Sequence, residues 1–296
     1  MNILSLFDGI GCGRVALERA GLKVDNYFAS EIDEFAKLIT QKNYPNTIQL
    51  GDVNNFKDWK LPQIDLVIGG SPCQDLSICK NNRQGLKGER SGLFFRYVDC
   101  LLKYKPKYFL LENVASMSRL EKEKITNILG VEPIMINSAL VSAQQRKRLY
   151  WTNIPVEYLP KDKGLVVGDI LEKENIDYID YSSRTKINKT ISINKTKPIR
   201  IGCIGNGGQG DRVYGIFGKS VSLNANGGGR GAKTGLYKIG NVVRKLTPRE
   251  CERLQTLPDD YTLGISDEQR YKCIGNGWTV DIIAHILHFI NSTDNI

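Results

Sequence analysis

The chain has few of the residues on which several classes of protein depend. It contains two histidines, and seven cysteines without a Cys-x-x-Cys pair, in 296 residues. An odd number of unpaired cysteines argues against a disulfide framework and against a zinc site, and indicates a reducing compartment. No apolar run approaches the ~18 residues of a membrane span, and no basic lead of a signal peptide precedes the first apolar residues. We therefore expect a cytoplasmic protein with no bound metal and no membrane contact.

The two commonest phosphate-binding signatures are also missing. A glycine turn from Asp8 to Gly13 follows an apolar strand pattern, but Arg14 stands where the dinucleotide fingerprint has its third glycine, and no Gly-Lys-Ser/Thr follows. A strand, a glycine turn and a helix still form the opening of a nucleoside-binding βα unit. Because Asp8 would repel a phosphate, we expect a neutral or cationic adenosine ligand. Glu31, at the tip of the second predicted strand, stands where α/β folds hold ribose hydroxyls.

What the sequence does contain is an ordinary globular composition with a basic surplus. Hydrophobic residues make up 41% and charged residues 25%, and the net charge is +9. This surplus favours a polyanionic partner, nucleic acid first.

Cys73 is the residue that most favours an enzyme. It follows the apolar run 64–68, a Gly-Gly pair and Pro72, so it is predicted at the end of a buried strand on a stiff backbone. A buried structural cysteine is the alternative interpretation. Glu112 ends the next predicted buried strand and would lie beside the tip of the Cys73 strand. Further on, Gln144, Arg146 and Arg148 are predicted to share one strand face.

The order of strands and helices predicts an α/β fold with a doubly wound, mostly parallel sheet. The composition shifts after about Pro155, and residues 202–235 hold 12 of the 29 glycines. We expect a small β-rich domain there rather than a flexible linker, with Arg212, Arg230 and Lys233 close to DNA. The basic, glycine-hinged segment 75–90, with Ser77, Arg83 and Arg90, is predicted to be a loop that closes over an anionic backbone. An ordinary surface loop is the alternative.

Six segments, in this order, resemble the motifs of the DNA cytosine-5 methyltransferases. The likeness extends from residue 1 to about 155 and from about 244 to 290, with an additional similarity to the animal de novo branch in 141–153 and at Gly277-Trp278. Trp278 departs from the small residue that many members carry. The matching segments are Phe7–Gly13, Gly69–Gln74, Glu112–Val114, Gln144-x-Arg146-x-Arg148, Arg244–Cys251 and Gly275–Gly277.

The resemblance implies a Rossmann-like class I methyltransferase that uses S-adenosylmethionine, releases S-adenosylhomocysteine and needs no metal. Its catalytic domain would comprise 1–155 and 265–296, and its target-recognition domain 156–264. The catalytic residues would be Cys73 as the nucleophile, Gln74, Glu112, Arg146 and Arg148. The cofactor pocket would contain Phe7, Asp8, Gly9, Ile10, Gly11, Gly13, Glu31, Ile32, Asp52, Val53, Pro72 and Asn276.

The resemblance further implies a bacterial or phage-encoded monomer acting on flipped-out cytosine in duplex DNA. A restriction endonuclease could act on the same site without direct contact. Two alternatives stay open: methylation of tRNA, which one branch of the family performs, and a non-catalytic DNA- or cofactor-binding relative.

Overall fold

The computed structural model describes residues 1–72, 91–173, 177–187, 193–227 and 229–293. These residues form two compact units. The first comprises Met1–Ile136, Lys147–Leu159 and Ile283–Ile296, and the second comprises Asn137–Arg146 and Pro160–Ile282.

A mixed seven-stranded sheet forms the centre of the first unit. Its strands lie in the order β3-β2-β1-β4-β5-β7-β6; β1 to β5 run parallel to their neighbours, and β7 runs antiparallel to β5. The strands are β1 (Asn2–Leu6), β2 (Asn26–Ser30), β3 (Ile48–Gln49), β4 (Leu66–Gly70), β5 (Tyr108–Val114), β6 (Ile134–Asn137) and β7 (Lys147–Thr152).

Five helices connect or flank these strands, and their ends follow from local sequence. They are α1 (Cys12–Arg19), α2 (Glu34–Asn43), α3 (Phe94–Tyr104), α4 (Arg119–Leu129) and α8 (Val280–Thr293), which belongs to this unit from Ile283 onward. Asp33 caps α2 by accepting from the amides of Phe35 and Ala36. Gly130 ends α4 in the left-handed conformation.

The core of the first unit forms because β1 and β4 are apolar on both faces. Leu4, Leu6 and Val67 are fully buried, as are Tyr97 and Trp151 beside them. Gly69 allows this close packing, since a Cβ there would lie 3.0 Å from both Leu6 O and Tyr97 Cδ2. As in parallel sheets generally, the strands β1 to β5 present their carboxyl ends at one edge.

The second unit contains a five-stranded sheet in the order β12-β11-β10-β9-β8. Only β10 and β11 pair in parallel among its described ladders. The strands are β8 (Thr185–Ile187), β9 (Ile199–Ile204), β10 (Arg212–Gly215), β11 (Leu236–Ile239) and β12 (Val242–Lys245); the helices are α5 (Val167–Ile170), α6 (Pro248–Leu254) and α7 (Asp267–Asn276).

The predicted fold class is therefore confirmed: an α/β doubly wound sheet together with a second, β-rich sheet. One local prediction is wrong. Gln144 and Arg146 do not share a strand face with Arg148, because β7 begins only at Lys147.

No single helix among the described residues is long and apolar enough to cross a membrane, although α7 and α8 together meet the length and composition criteria as a bent pair. The apolar residues Ile274, Ile282 and Ile286 of this pair are fully buried.

Candidate active site

Glu112 and Arg148 form an ion pair at the carboxyl end of β5. Arg148 Nε lies 2.7 Å from Glu112 Oε1, and the two side chains are 15% and 11% exposed. The antiparallel pairing places Arg148 opposite Val114, two residues beyond Glu112 on the same strand face. The guanidinium also donates to Lys147 O at 2.9 Å, which fixes its direction. The pair thus presents a carboxyl group with a defined cationic partner.

The strand that leads to Cys73 ends at the same level. Gly70 lies opposite Glu112 in the parallel ladder of β4 and β5. Ser71 is buried, and Asn113 Nδ2 donates to Ser71 Oγ at 3.1 Å. Cys73 itself lies outside the described residues, as do Gln74, Ser77, Arg83 and Arg90. The backbone is therefore placed up to Pro72, one residue before the predicted nucleophile.

The glycine turn after β1 is held open by contacts from two other elements. Phe7, Gly9 and Gly11 all have positive φ angles, of 57°, 61° and 74°. The amide of Gly9 donates to Glu31 Oε2 at 2.8 Å, and its carbonyl accepts from Thr40 Oγ1 at 3.2 Å. A Cβ on Gly9 would meet nothing within 4 Å, so the backbone faces open space there.

Asp8 turns inward from this loop. Its Oδ1 accepts from Ser5 Oγ and Tyr27 OH, both at 2.6 Å, and Thr40 Oγ1 lies 3.5 Å from Oδ2. Burial raises the pKa of this carboxyl to about 6, against the lowering effect of the hydroxyl donors and with a smaller contribution from Glu31. The sequence did not identify Ser5, Tyr27 or Thr40, because no motif links three hydroxyls from separate elements.

The other cofactor candidates of the first unit differ in exposure. Ile32 is 69% exposed beside Glu31, whose Oε1 accepts from the amides of Ile32 and Asp33. Asp52 is exposed and accepts from Asn54 N at 2.9 Å, whereas Val53 is buried next to it. Ile10 and Gly13 are buried, and Phe7 and Pro72 are half-buried.

Arg146 and Asn276 belong to the second unit, whereas the ion pair of Glu112 and Arg148 lies in the first. Arg146 is 5% exposed, and its guanidinium donates to the carbonyls of Leu223, Gly275 and Gly277 at 3.1 to 3.3 Å. Asn276 is the last residue of α7 and is exposed.

Two of the three predicted DNA contacts in the second unit are paired with carboxylates. Arg230 Nη1 lies 2.7 Å from Asp211 Oδ1, and Lys233 forms an ion pair with Glu268. Arg212 begins β10, and its Nε is buried with no hydrogen-bond partner among the residues that the structure describes. Across the ranges that the structure describes, no group of three or more His, Cys, Asp or Glu side chains is arranged to hold a metal ion.

Comparison with known proteins agrees with this arrangement. The curated type II methyltransferase M.HhaI of Haemophilus parahaemolyticus is 30% identical over 317 residues, which cover 100% of this chain and 95% of the relative. The type II methyltransferase M.NlaX of Neisseria lactamica is 30% identical and covers 96% of this chain and 94% of its own length.

Among solved structures, the Entamoeba histolytica methyltransferase EhMeth superposes with a TM-score of 0.73 over 99% of this chain and 98% of the other; at 18% identity the likeness concerns the fold. The family model for C-5 cytosine-specific DNA methylase matches residues 1–292. The chain therefore belongs to the C-5 cytosine-specific DNA methylases and is a DNA cytosine-5 methyltransferase.

Proposed function

We propose that the enzyme transfers a methyl group from S-adenosylmethionine to carbon 5 of a flipped-out cytosine in duplex DNA, through a covalent bond to Cys73. The observation that carries this proposal is the buried pair of Glu112 and Arg148 level with Gly70, three residues before Cys73. A carboxyl group with a fixed orientation, level with the end of a strand that leads to a cysteine, is the combination that this reaction needs.

The first unit has residues that fit S-adenosylmethionine. The open backbone at Gly9 accepts a ligand at close range, and exposed Ile32 offers an apolar surface to a nucleoside ring. Glu31 would hold the ribose hydroxyls, because a carboxylate oxygen that accepts one amide bond can accept another hydrogen bond. Exposed Asp52 would accept from the adenine amino group. Asn276 is a further proposed contact, carried over from the family motif.

The chain's own residues prepare the cytosine for reaction. Cytosine carbon 5 is a weak nucleophile, so the Cys73 thiolate adds to carbon 6. Glu112, in its protonated form, gives its proton to ring nitrogen 3. The electron pair then becomes available at carbon 5. S-adenosylmethionine, when bound, supplies an electrophilic methyl group. A base next removes the carbon 5 proton, and the Cys73–carbon 6 bond breaks to restore the aromatic ring and the thiolate. The proton on ring nitrogen 3 returns to Glu112.

Arg148 is the arginine that we place beside the reacting base. Its Nε orients Glu112, while the other nitrogens of its guanidinium can hold the carbonyl oxygen of the base and stabilise negative charge. Because the guanidinium of Arg146 is directed at backbone carbonyls, we do not assign it this role.

The cytosine must leave the helix to reach this chemistry, at a cost of a few kcal/mol of stacking and pairing. We assign 156–264 to target recognition and 1–155 with 265–296 to catalysis. A role in restriction-modification is supported by the similarity to the type II methyltransferases M.HhaI and M.NlaX, and protection of phage DNA is the alternative role that we propose. We expect a monomer that shares its target with a restriction endonuclease without touching it.

The test is conversion sequencing of plasmid DNA from cells that express the wild type, Cys73→Ser or Cys203→Ser. Cys203 is a half-exposed free cysteine of β9 and serves as the matched control. We expect methylated cytosines in one sequence context for the wild type and Cys203→Ser, and none for Cys73→Ser. Normal methylation in Cys73→Ser would overturn the nucleophile assignment. If the purified enzyme methylated tRNA and not plasmid DNA, the substrate would be tRNA and the assignment of duplex DNA would be wrong.

A further inference from the structure

The side-chain amide of Gln255 connects four groups in the interior of the second unit. Gln255 is fully buried. Its Nε2 donates to the carbonyls of Ile274 and Gly277, both at 2.9 Å. Its Oε1 accepts from Thr279 Oγ1 at 2.9 Å and from Gln144 Nε2 at 3.1 Å. Both donors and both acceptor positions of the amide are thus used, so its orientation is determined.

Arg146 completes the same set of contacts. Its Nη2 donates to the carbonyls of Gly275 at 3.3 Å and Gly277 at 3.1 Å. The carbonyls of Ile274, Gly275 and Gly277 therefore all receive side-chain donors, and Gly277 receives two. We call Gln255 and Arg146 the α7 cap.

The α7 cap supplies hydrogen-bond donors to carbonyls at the C-terminal end of a helix. The last four carbonyls of a helix have no intrahelical donor, and burying them without partners is unfavourable. Here α7 ends at Asn276 and the chain turns at once into α8. The turn is also tightly packed, since a Cβ on Gly275 would lie 2.6 Å from Ala225 N. The backbone on both sides of Asn276 is thereby fixed while its side chain stays exposed.

We propose that Gln255 and Arg146 are positioning residues for methyl-donor binding, which act by holding the turn that carries Asn276. The inference rests on the proposed function, in which Asn276 contacts S-adenosylmethionine. It gives the first arginine of the Gln-x-Arg-x-Arg motif a role distinct from that of Arg148. Neither residue of the α7 cap touches a reacting atom in this assignment, so loss of the cap should affect donor affinity more than the chemical step.

The test compares two variants. Gln255→Met keeps the side-chain volume and removes both donors, and Thr279→Val removes the hydroxyl that donates to Gln255 Oε1 and that also lies 2.8 Å from Ser138 Oγ. Tyr271→Phe is the control, because it removes one buried hydrogen bond of α7, to Leu246 O at 2.7 Å, away from the turn. Two readouts are used on the purified full-length enzyme: amide hydrogen exchange of the peptide that contains residues 274–280, and calorimetric titration with S-adenosylmethionine.

For Gln255→Met we expect faster exchange in this peptide and a donor Kd raised about tenfold or more, as for loss of a buried hydrogen-bonding group, with kcat at saturating donor within about twofold of the wild type. Thr279→Val should shift both readouts in the same direction by less, and Tyr271→Phe should leave the Kd unchanged. If Gln255→Met does not fold, Thr279→Val decides the question.

Unchanged exchange and unchanged Kd in the folded variants would overturn the role of the α7 cap. A wild-type enzyme that binds no S-adenosylmethionine would instead overturn the proposed function, and faster exchange in Gln255→Met would then still establish the cap itself. Faster exchange with an unchanged Kd would leave the α7 cap as a structural device only and would also overturn its role in donor binding.

Discussion

Arg148 reaches Glu112 from the neighbouring antiparallel strand, and the two side chains form an ion pair of 2.7 Å that is largely shielded from water. A buried pair of this kind does not in itself indicate high stability, because desolvation opposes the attraction. It does fix where the carboxyl group points, which is what proton donation to a base requires.

Glu112→Gln should therefore impair catalysis and not DNA binding. The amide keeps the shape of the carboxyl group but cannot deliver a proton, so we expect single-turnover methylation to fall about 10²-fold or more, with DNA affinity in gel-shift assays within about twofold of the wild type. Glu123→Gln, at an exposed carboxylate that pairs with Arg119, is the control and should change neither quantity. Equal losses in both assays for Glu112→Gln would contradict the assignment.

Asp8 should make the free energy of unfolding decrease with pH. Its pKa is raised from 3.8 to about 6 in the folded chain. Between these values the folded state binds a proton that the unfolded state has released, so this group's stabilising contribution is lost as pH rises through that window. The stability of the wild type relative to Asp8→Asn should fall by about 2 kcal/mol from pH 4 to pH 6.5, as measured by urea unfolding.

Asp180→Asn provides the opposite sign in the same measurement. Asp180 accepts from the amides of Val243 and Ser182, which lowers its pKa. The wild type should therefore gain stability relative to this variant as pH rises. A pH-independent difference between the wild type and Asp8→Asn would mean that folding does not raise the pKa of Asp8.

Gly69→Ala should destabilise the first unit by about 1–3 kcal/mol, because the new methyl group would press on Leu6 O and the Tyr97 ring at 3.0 Å. Urea unfolding at pH 7 measures the change. Gly168→Ala is the matched control, since the nearest atom to its Cβ would be Ile216 O at 3.6 Å. If Gly69→Ala had the same urea midpoint as the wild type, β4 would be able to shift and accommodate the added methyl group.

Glu268→Gln should strengthen DNA binding if Lys233 contacts a phosphate. The ion pair with Glu268 neutralises Lys233 in the free protein and lowers the pKa of Glu268. Releasing Lys233 should steepen the dependence of log K on log salt by about one, with a lower Kd at low salt in fluorescence-anisotropy titrations. If Glu123→Gln, which removes a charge from the first unit, gave the same change, the effect would be one of net charge alone.

The parts of the fold that the sequence predicts are those with a strong local signal. β4 and β5 are apolar runs, and α6 begins with the capping box of Thr247 and Glu250, which the structure contains. The four strands β8, β9, β11 and β12 were not predicted individually, because Lys, Arg and Gly interrupt their apolar pattern. Helix α7 was missed for a similar reason, since seven of its ten residues are polar or charged or are glycine.

The site was predictable where a motif sits at a strand end and not where a contact joins distant segments. The position of Glu112 at a strand end is predicted by the apolar sequence of β5 alone. The environment of Asp8 depends on Tyr27 and Thr40, which lie 19 and 32 residues away in sequence. Likewise, Arg146 was expected to act like Arg148 because alternate residues of a strand share a face, but the strand begins between them.

The antiparallel direction of β7 limits which insertions before this strand preserve the contact between Arg148 and Glu112. The first residues of β7 lie beside the last residues of β5, which is why an arginine near the start of one strand meets a glutamate near the end of the other. An insertion of two residues before Lys147 that slid the strand would leave the inward and outward faces unchanged, yet move position 148 by about 7 Å along β5. Such a chain would keep its core and lose its ion pair. The length of the segment between β6 and β7 should therefore be constrained independently of its sequence, because a change of length moves Arg148 even where every side chain is kept.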